Sequence, residues 1–450
     1  MATTVTATPA VEPVESAVRR VAPHWWLVAV LTAVSTLAYI DKNIVALMIV
    51  PIRADLGLTP TQAAFALGSA FAIANLCITI PAGWLADRGD RRLMIMLAMS
   101  AWSILTVTSA FSQGFFTLLL ARAGVGLAEG LLPPACYSLI RQSLALDHRG
   151  RALSIFSMSA LVGSGLAFLL GGFALAFLEG VDISALPLIG HLPTWGVTLV
   201  ATGMLGIPVA LLILSLAEPH RAAPQATDPT VRLNDVLRAL WARREIFGPL
   251  TIFSVAFAML SNSLNLWMAP LLAERFDMTP GETGPRIGML LLVFGPIGLI
   301  TAGMLIDRIE RRWGRGAQLV GLLVSLLLFL PAIMQPLAST RIAFWIWLAV
   351  ILLGSTTYLL VTSSLVARML DPSMTGRAMA IFLLIQGILG AGVAPTVTAV
   401  AIDTVFATAA HPISTAMSVL HGGYALVALA AASVLFLRSP RPPTAAEAAE

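Results

Sequence analysis

The segment Gly83–Arg92, with the sequence GWLADRGDRR, ends one long apolar stretch, and a copy of it ends another. The copy, Gly303–Arg312, reads GMLIDRIERR and keeps the glycine, the aspartate and the three arginines at the same offsets. A second matching pair, Arg151–Phe156 (RALSIF) and Arg377–Phe382 (RAMAIF), follows in the same order. Two halves that carry the same motifs in the same order predict two helical bundles related by an axis along the membrane normal.

The composition places these motifs in a membrane protein. The 450 residues are 58% hydrophobic and 11% charged, with a mean hydropathy of +0.88, values that exclude an ordinary soluble domain. Apolar segments of bilayer-spanning length fall at 24–50, 61–86, 92–112, 115–143, 149–178, 194–217, 246–273, 283–306, 316–336, 342–369, 376–404 and 413–437. The predicted fold is an all-α membrane protein with twelve transmembrane helices in two six-helix bundles.

The predicted boundaries follow from these spans. Residues 1–22 are a disordered cytoplasmic tail, 23–217 the N-terminal bundle, 218–245 a cytoplasmic linker, 246–438 the C-terminal bundle and 439–450 a second tail. Within the linker, Thr230 to Arg244 predicts an amphipathic helix with its leucines and Trp241 on one face. Such a helix either lies along the inner leaflet with its arginines on anionic head groups or is a solvated connection.

The distribution of basic residues predicts the orientation. Most of the 27 Lys and Arg residues fall on the same side of the spans as the two termini. Four fall on the other side: Arg53, Arg275, Arg286 and Arg341. The positive-inside rule therefore places both termini in the cytoplasm, and the expected location is a bacterial inner membrane. We expect the protein to be a monomer in the lipid bilayer, with no nucleic-acid partner.

Four ionisable residues lie near the middle of predicted spans. Arg122 and Glu129 share the fourth span, and their spacing puts them on one helical face, about 10 Å apart along the axis. Asp41 and Lys42 lie in the first span, with Asp41 at a depth similar to that of Arg122. A charge inside the hydrocarbon costs several kcal/mol unless it is paired or hydrated, so these residues are functional candidates.

The duplicated motif resembles the cytoplasmic signature of the major facilitator superfamily. Within that superfamily, Tyr39–Asp41 and Arg122–Glu129, the latter followed by Pro133 and Pro134, are similar to the pattern of the Spinster group. Lys42 stands where that group usually has arginine, which keeps the charge but loses bidentate geometry. Eukaryotic Spinster proteins are implicated in moving sphingosine-1-phosphate and lysophospholipids, so the resemblance implies an amphipathic, lipid-like substrate.

The resemblance also implies that the first and fourth spans line one cavity, which would bring Asp41, Arg122 and Glu129 together. One permanent cation facing two carboxylates is a usable proton switch, because the three groups titrate as a coupled set. We expect Asp41 to take a proton from outside and to loosen its hold on Arg122, which then favours Glu129. Proton release from Glu129 to the cytoplasm accompanies inward opening. The alternative is a purely structural ion pair that locks the two spans together.

The two motif copies predict a gate on the cytoplasmic side. Asp87 is expected to cap the start of the eleventh span near Thr375–Arg377, and Asp307 to face the start of the fifth span near Gly150. These contacts would hold the outward-open state. The gate comprises Gly83, Asp87, Arg88, Arg91, Arg92, Gly303, Asp307, Arg308, Arg311, Arg312, Arg151 and Arg377. The alternative is that the basic runs act only as topology signals.

The seventh and tenth spans carry hydroxyl and amide groups but no charge at mid-membrane depth. Such groups among apolar side chains suit an amphipathic ligand whose polar head lies near the charged half. The candidate substrate-binding residues are Lys42, Asn262, Asn265, Tyr358 and Thr362.

The predicted function is proton-coupled secondary active transport of a lysophospholipid-like or sphingosine-phosphate-like substrate by alternating access. The protein is not expected to be an enzyme or to use a cofactor; the proton is the coupling ion, and no nucleotide-binding loop occurs. The nearest alternative is a proton-linked symporter of small organic anions, with Arg122 on the substrate carboxylate. From other classes, the alternatives are an intramembrane enzyme using Asp41 and Glu129 as acid and base, and a passive lipid scramblase or channel.

Overall fold

The computed structural model describes residues 25–438, except 183, 185–186, 218–232, 314–316 and 356. All regular elements in this part of the chain are helices, and twelve of them are long and apolar enough to cross a membrane. They are α1 Trp25–Leu56, α2 Pro60–Arg88, α3 Arg91–Ala110, α4 Phe115–Ser143, α5 Leu146–Glu179, α6 Thr194–Ile213, α7 Arg244–Phe276, α8 Pro280–Arg308, α9 Val320–Leu337, α10 Arg341–Met369, α11 Ser373–Val405 and α12 Pro412–Arg438. The predicted all-α fold with twelve spans is confirmed.

Most helix ends lie within a few residues of the predicted ones, with two larger differences. The first helix continues through Pro51 to Leu56, so Arg53 lies in its last turn. A proline this close to a helix end removes one hydrogen bond without ending the helix. The sixth helix ends at Ile213, four residues before the predicted end at residue 217.

The predicted domain boundaries are only partly within the described chain. Residues 1–24 and 439–450, which include both predicted tails, lie outside the described residues. The linker helix is Leu233–Ala242, and the predicted start at residues 230–232 also lies outside them. Helices α1–α6 fall within the predicted N-terminal half, and α7–α12 form the C-terminal half.

The bundle has two faces that differ in charge. Where α1 begins and α2 ends, helix ends carry Arg88, Arg149, Arg308 and Arg368, and we name this the basic face. The other end of the bundle, where α1 ends and α2 begins, is the opposite face. The sequence predicts that the basic face is cytoplasmic.

Near the opposite face, α5 of one half packs against α8 of the other through glycines. A Cβ atom added to Gly172 would lie 2.9 Å from the Gly284 Cα, and one added to Gly288 would lie 2.6 Å from the Gly165 carbonyl oxygen. Because Cβ atoms do not approach other atoms this closely, only glycine permits the contact. The two halves therefore touch backbone to backbone.

A second contact between the halves joins α2 to α11. The Ser69 and Thr396 hydroxyl oxygens are 2.6 Å apart. Closer to the opposite face, the Asp403 carboxylate accepts hydrogen bonds from the backbone N–H and the hydroxyl of Thr61, over 2.8 and 2.6 Å. Ser69 and Asp403 each lie in a π-helical turn, a local widening that is frequent at functional positions. The opposite face is closed by these contacts.

The halves are separated at the basic face. No neighbour among the described residues lies within 4 Å of a Cβ atom built on Gly83, Gly303 or Gly376. The Trp84 side chain next to the first of these glycines is 60% exposed. The protein is therefore open at the basic face and closed at the opposite face.

Candidate functional site

A buried ion pair joins α1 to α4 inside the N-terminal half. Arg122 Nη1 donates to Asp41 Oδ2 over 3.1 Å, and neither side chain is exposed. The Thr106 hydroxyl on α3 donates to the other carboxylate oxygen, also over 3.1 Å. A buried carboxylate is stable only when hydrogen-bond donors satisfy its oxygens, and α3 and α4 each supply one donor to Asp41.

Glycines on α4 bring α2 against this pair. One turn after Arg122, a Cβ atom on Gly126 would overlap the backbone carbonyl of Phe71. This close approach places the Phe71 ring centroid 5.5 Å from the guanidinium carbon of Arg122. The ring face stabilises the cation.

Arg122 has more donors than its neighbours use. Among the described residues, no acceptor meets its Nε or Nη2 groups, although a guanidinium carries five N–H donors. Arg122 can therefore accept a second anionic partner without giving up its bond to Asp41.

Glu129 lies close enough to interact electrostatically with Asp41, Arg122 and Lys42. It is 6% exposed, and its Oε1 has no hydrogen-bond partner in the described chain. The structure thus gathers all three members of the predicted trio in one region. It differs from the predicted sequence of events in one respect: with the basic face open, Arg122 contacts Asp41 rather than Glu129. The additional hydrogen bond from Thr106 makes Asp41 the better-stabilised anion in this state.

A cavity of about 100 Å³ opens beside Glu129. Its lining residues are Ser35, Ala38, Tyr39, Lys42, Asn75, Glu129, Leu132, Pro133, Cys136 and Phe156. Most of them precede Asp41 on α1 or follow Glu129 on α4, so the cavity lies on the basic-face side of the ion pair. Lys42 lines this cavity, and its ammonium lies 5.9 Å from the ring centroids of both Tyr39 and Phe71.

The other predicted substrate-binding residues do not line this cavity. Asn262 and the fully buried Thr362 donate to carbonyl groups of their own helices. Tyr358 is 8% exposed, whereas Asn265 is half-buried. Of the five candidates, only Lys42 shares the cavity with Glu129.

The gate residues lie at the basic face, where a Cβ atom built on Gly83 or Gly303 has no neighbour from the other half within 4 Å among the described residues. Asp87 and Asp307 are exposed, and the predicted caps on α11 and α5 concern the state in which this face is closed. Within the motif, Asp90 caps α3 by accepting from the Leu93 N–H over 2.8 Å. Arg91 and Arg92 bind Ser138 and the Leu216 carbonyl within the N-terminal half. Arg88, Arg151, Arg308 and Arg311 are exposed, Arg377 is half-buried, and the side chain of Arg312 lies outside the described part.

Sequence reasoning missed a buried polar cluster in the C-terminal half. His421 on α12 is fully buried, with Nδ1 3.0 Å from the Ala332 carbonyl and Nε2 3.2 Å from the Ser263 hydroxyl. That hydroxyl lies 2.8 Å from the hydroxyl of Thr398 on α11. The one sequence signal was a histidine inside the last apolar span. The cluster links four helices of this half, α7, α9, α11 and α12, whereas the charged site lies entirely in the other half.

Comparison with known proteins agrees with this architecture. The Major Facilitator Superfamily profile matches residues 31–395. An MFS-type efflux pump of Mycolicibacterium smegmatis is 25% identical over 81% of this chain and 82% of its own length. Protein spinster homolog 1 of Homo sapiens is 30% identical over 58% of this chain, but the match spans only 47% of that relative.

The fold agrees with solved structures as well. The crystal structure of a bacterial homologue of the human lysosomal transporter Spinster, in an inward-facing and occupied conformation, superimposes with a TM-score of 0.75. The match has 22% identity and covers 92% of this chain and 96% of that one. Together with the twelve spans and the duplicated motif, these matches identify the chain as an integral membrane transporter that belongs to the Major Facilitator Superfamily and is homologous to Spinster proteins.

Proposed function

We propose that this protein is a proton-coupled transporter that moves an amphipathic, lipid-like anion by alternating access. One observation carries the proposal: a buried Asp41–Arg122 pair lies beside a second acid, Glu129, which lacks a partner for Oε1 and lines the cavity on the open side. A structural ion pair needs no second acid, whereas ionisable groups at membrane depth are typical of proton pathways. The arginine distribution supports an inner-membrane orientation with the basic face in the cytoplasm, and we propose a monomer.

The residue that exchanges the proton is the one that water can reach through the cavity. With the basic face open, Glu129 meets water through the cavity and exchanges its proton there. When the halves close this face, the cavity loses its water, and a charged carboxylate then costs several kcal/mol. Closure therefore favours protonated Glu129, whereas Asp41 keeps its two donors, Thr106 and Arg122.

The substrate class rests on Lys42. Its ammonium, 5.9 Å from the centroids of two aromatic rings, offers a cation and apolar surface at the same place, which suits a head group carrying a phosphate near the start of an acyl chain. The homologous Spinster proteins support a lipid-like substrate of the lysophospholipid or sphingosine-phosphate type.

A second candidate is favoured by the cavity volume. About 100 Å³ is room for about three waters at roughly 30 Å³ each, which fits a small organic anion better than a lipid head group. In a proton-linked symporter of such anions, Lys42 rather than Arg122 would meet the substrate carboxylate first, because Lys42 lines the cavity and Arg122 does not.

Uptake into proteoliposomes under an imposed pH gradient tests the proposed function. We expect accumulation of labelled lysophosphatidylglycerol that a protonophore abolishes, and a half-saturation concentration about 10-fold higher in Lys42→Gln, from loss of one charge-assisted contact. Accumulation of benzoate-like anions alone would replace the lipid proposal with the symporter. If the labelled substrate equilibrates across the membrane to the same extent with and without the pH gradient, the protein would be a passive scramblase or channel.

The hydrogen bonds between Asp403 and Thr61 predict that this contact, which we name the latch, keeps the opposite face closed. The carboxylate from α11 binds the first turn of α2, where a helix N-terminus favours negative charge, and so it ties the halves together. Asp403→Asn is expected to raise the population open at this face by roughly 5–30-fold, from about 1–2 kcal/mol.

Opening of the opposite face is measured as the distance between spin labels at Ala54 and Ala407. The labels are introduced into a variant in which the exposed Cys77 is replaced. Asp277→Asn is the matched control, because Asp277 is an exposed acid at the same face whose backbone N–H bonds to carbonyls of its own helix, α7. Unchanged distances in Asp403→Asn would show that the contact does not hold this face closed.

A further inference from the structure

The linker helix Leu233–Ala242 exposes apolar side chains in a continuous stripe. Leu233, Leu237 and Trp241 are 56%, 46% and 71% exposed, and their spacing of four residues puts them on one face. A neighbouring stripe, Val236 and Leu240, is buried at 0% and 5% exposure. A helix that only connects two bundles in water needs a buried face such as Val236 and Leu240. It has no need of the exposed apolar stripe.

The remaining face of this helix is polar. Asn234 and Arg238 are exposed, and the Arg238 side chain is 81% accessible. Successive residues are rotated by 100° around the helix axis, so the exposed apolar face lies between the buried face and the polar face. This order fits a helix at the boundary between protein, bilayer and water, with one face toward each.

The charges around the helix complement an anionic surface. Arg238, Arg243 and Arg244 are exposed, and the guanidinium carbon of Arg244 lies 5.5 Å from the Trp241 ring. The nearby acids only partly offset them: Asp235 lies 3.8 Å from Arg238. Glu245 instead pairs with Arg438 of α12 over 3.1 Å. The cationic excess therefore surrounds the aromatic end of the apolar stripe.

The buried face connects the helix to the gate region. It packs against the first part of α11, the segment that carries Gly376 and Arg377, and against α7, which begins directly after it. The exposed Ile246 in the first turn of α7 continues the apolar surface toward the membrane. A displacement of the linker helix is therefore transmitted to the start of α11.

We propose that the linker helix docks onto the anionic bilayer surface through Leu233, Leu237 and Trp241, and that this docking favours opening of the basic face. The docking itself is independent of what the protein transports. The effect on opening rests on the alternating access proposed above, because it acts by drawing the start of α11 toward the bilayer and away from the N-terminal half.

Spin labels placed singly along the helix test the docking in the full-length protein. In vesicles of equal parts phosphatidylcholine and phosphatidylglycerol, labels at Leu237 and Trp241 are expected to show an oxygen-to-nickel accessibility ratio about threefold or more above labels at Asn234 and Arg238. Equal accessibility to the aqueous nickel reagent at all four positions would overturn the docking.

The effect on opening is tested by a label pair at Gln142 and Ser373, on opposite halves of the basic face. In the wild type, phosphatidylglycerol is expected to raise the open population about fivefold over pure phosphatidylcholine, whereas Arg238→Gln/Arg243→Gln should remove this response. Arg286→Gln, an exposed arginine at the opposite face, is the control and should respond like the wild type.

A lipid response that persists in Arg238→Gln/Arg243→Gln, or none in the wild type, would overturn the proposed effect on opening. These distances need no substrate. A failure of gradient-driven uptake with the lipid response intact would therefore count against the proposed transport and not against this inference.

Discussion

Asp41→Asn/Arg122→Gln is expected to fold and to remain close to wild type in thermal stability, yet to lose gradient-driven uptake by about 100-fold or more. Replacing both members of a buried ion pair leaves no uncompensated buried charge, and the Asn and Gln amides that replace them can hydrogen-bond to each other. In this double variant, however, Glu129 is the one remaining ionisable member of the trio, so the site has no second carboxylate with which to exchange the proton.

The single variant Asp41→Asn is expected to be the less stable protein. It leaves the buried Arg122 cation without its carboxylate, a change that costs about 3–5 kcal/mol in buried pairs. Thermal unfolding in detergent, measured beside uptake, therefore separates the two roles of the pair. The double variant should unfold near the wild-type temperature and the single variant well below it, while neither accumulates substrate.

Thr106→Val is the control for this experiment, because it removes a hydrogen bond to Asp41 without changing any charge. It should lose about 1–2 kcal/mol of stability and keep gradient-driven uptake. If the ion pair is purely structural, the double variant keeps its uptake, and the proton role of Asp41 would be wrong.

Gly288→Leu and Gly83→Leu are expected to arrest the protein in opposite states. At Gly288 the added side chain would collide with the backbone of α5 across the interface between the halves. Overpacking of this kind costs about 1–3 kcal/mol or more, so the closed opposite face should open. Among the described residues, no neighbour lies within 4 Å of a Cβ atom built on Gly83, so the present state tolerates leucine, whereas closure of the basic face does not.

Both variants should lose uptake almost completely, but their label distances should move in opposite directions. The pair at Ala54 and Ala407 should lengthen in Gly288→Leu, and the pair at Gln142 and Ser373 should stay long in Gly83→Leu under all conditions. Gly423→Leu is the matched control. That exposed glycine on α12 has no neighbour within 4 Å in the described part of the chain and lies away from both contacts between the halves. Wild-type uptake in Gly83→Leu would contradict a gate that closes at this glycine.

The sequence predicted the elements of the charged site because spacing within a helix is fixed. A rise of about 1.5 Å per residue is enough to place Asp41 and Arg122 at one depth and Glu129 deeper. The twelve spans were predictable for the same reason, since apolar length is read directly from the chain. The resemblance to the superfamily then predicted that the first and fourth spans line the same cavity.

The partners contributed by other helices were not predictable. Thr106 and Phe71 contact the ion pair because of how α3 and α2 are rotated, and lipid-facing and buried surfaces of a membrane helix are both apolar. Asp403 lies near the end of a span, where a charge has no distinguishing sequence signal. The duplicated motif likewise predicted a gate at the basic face, but not that the structure would have this face open.

The central claim is that the charge state of Glu129 decides whether the basic face can close, and distance measurements on the Gln142–Ser373 label pair across a pH series test it most directly. Raising the pH removes the proton from Glu129, and the charged carboxylate resists dehydration, so the open population should increase with pH in the wild type. Glu129→Gln should hold a lower and pH-independent open population, whereas Glu179→Gln, an exposed acid at the opposite face, should follow the wild type. A pH response that is unchanged in Glu129→Gln would contradict the claim.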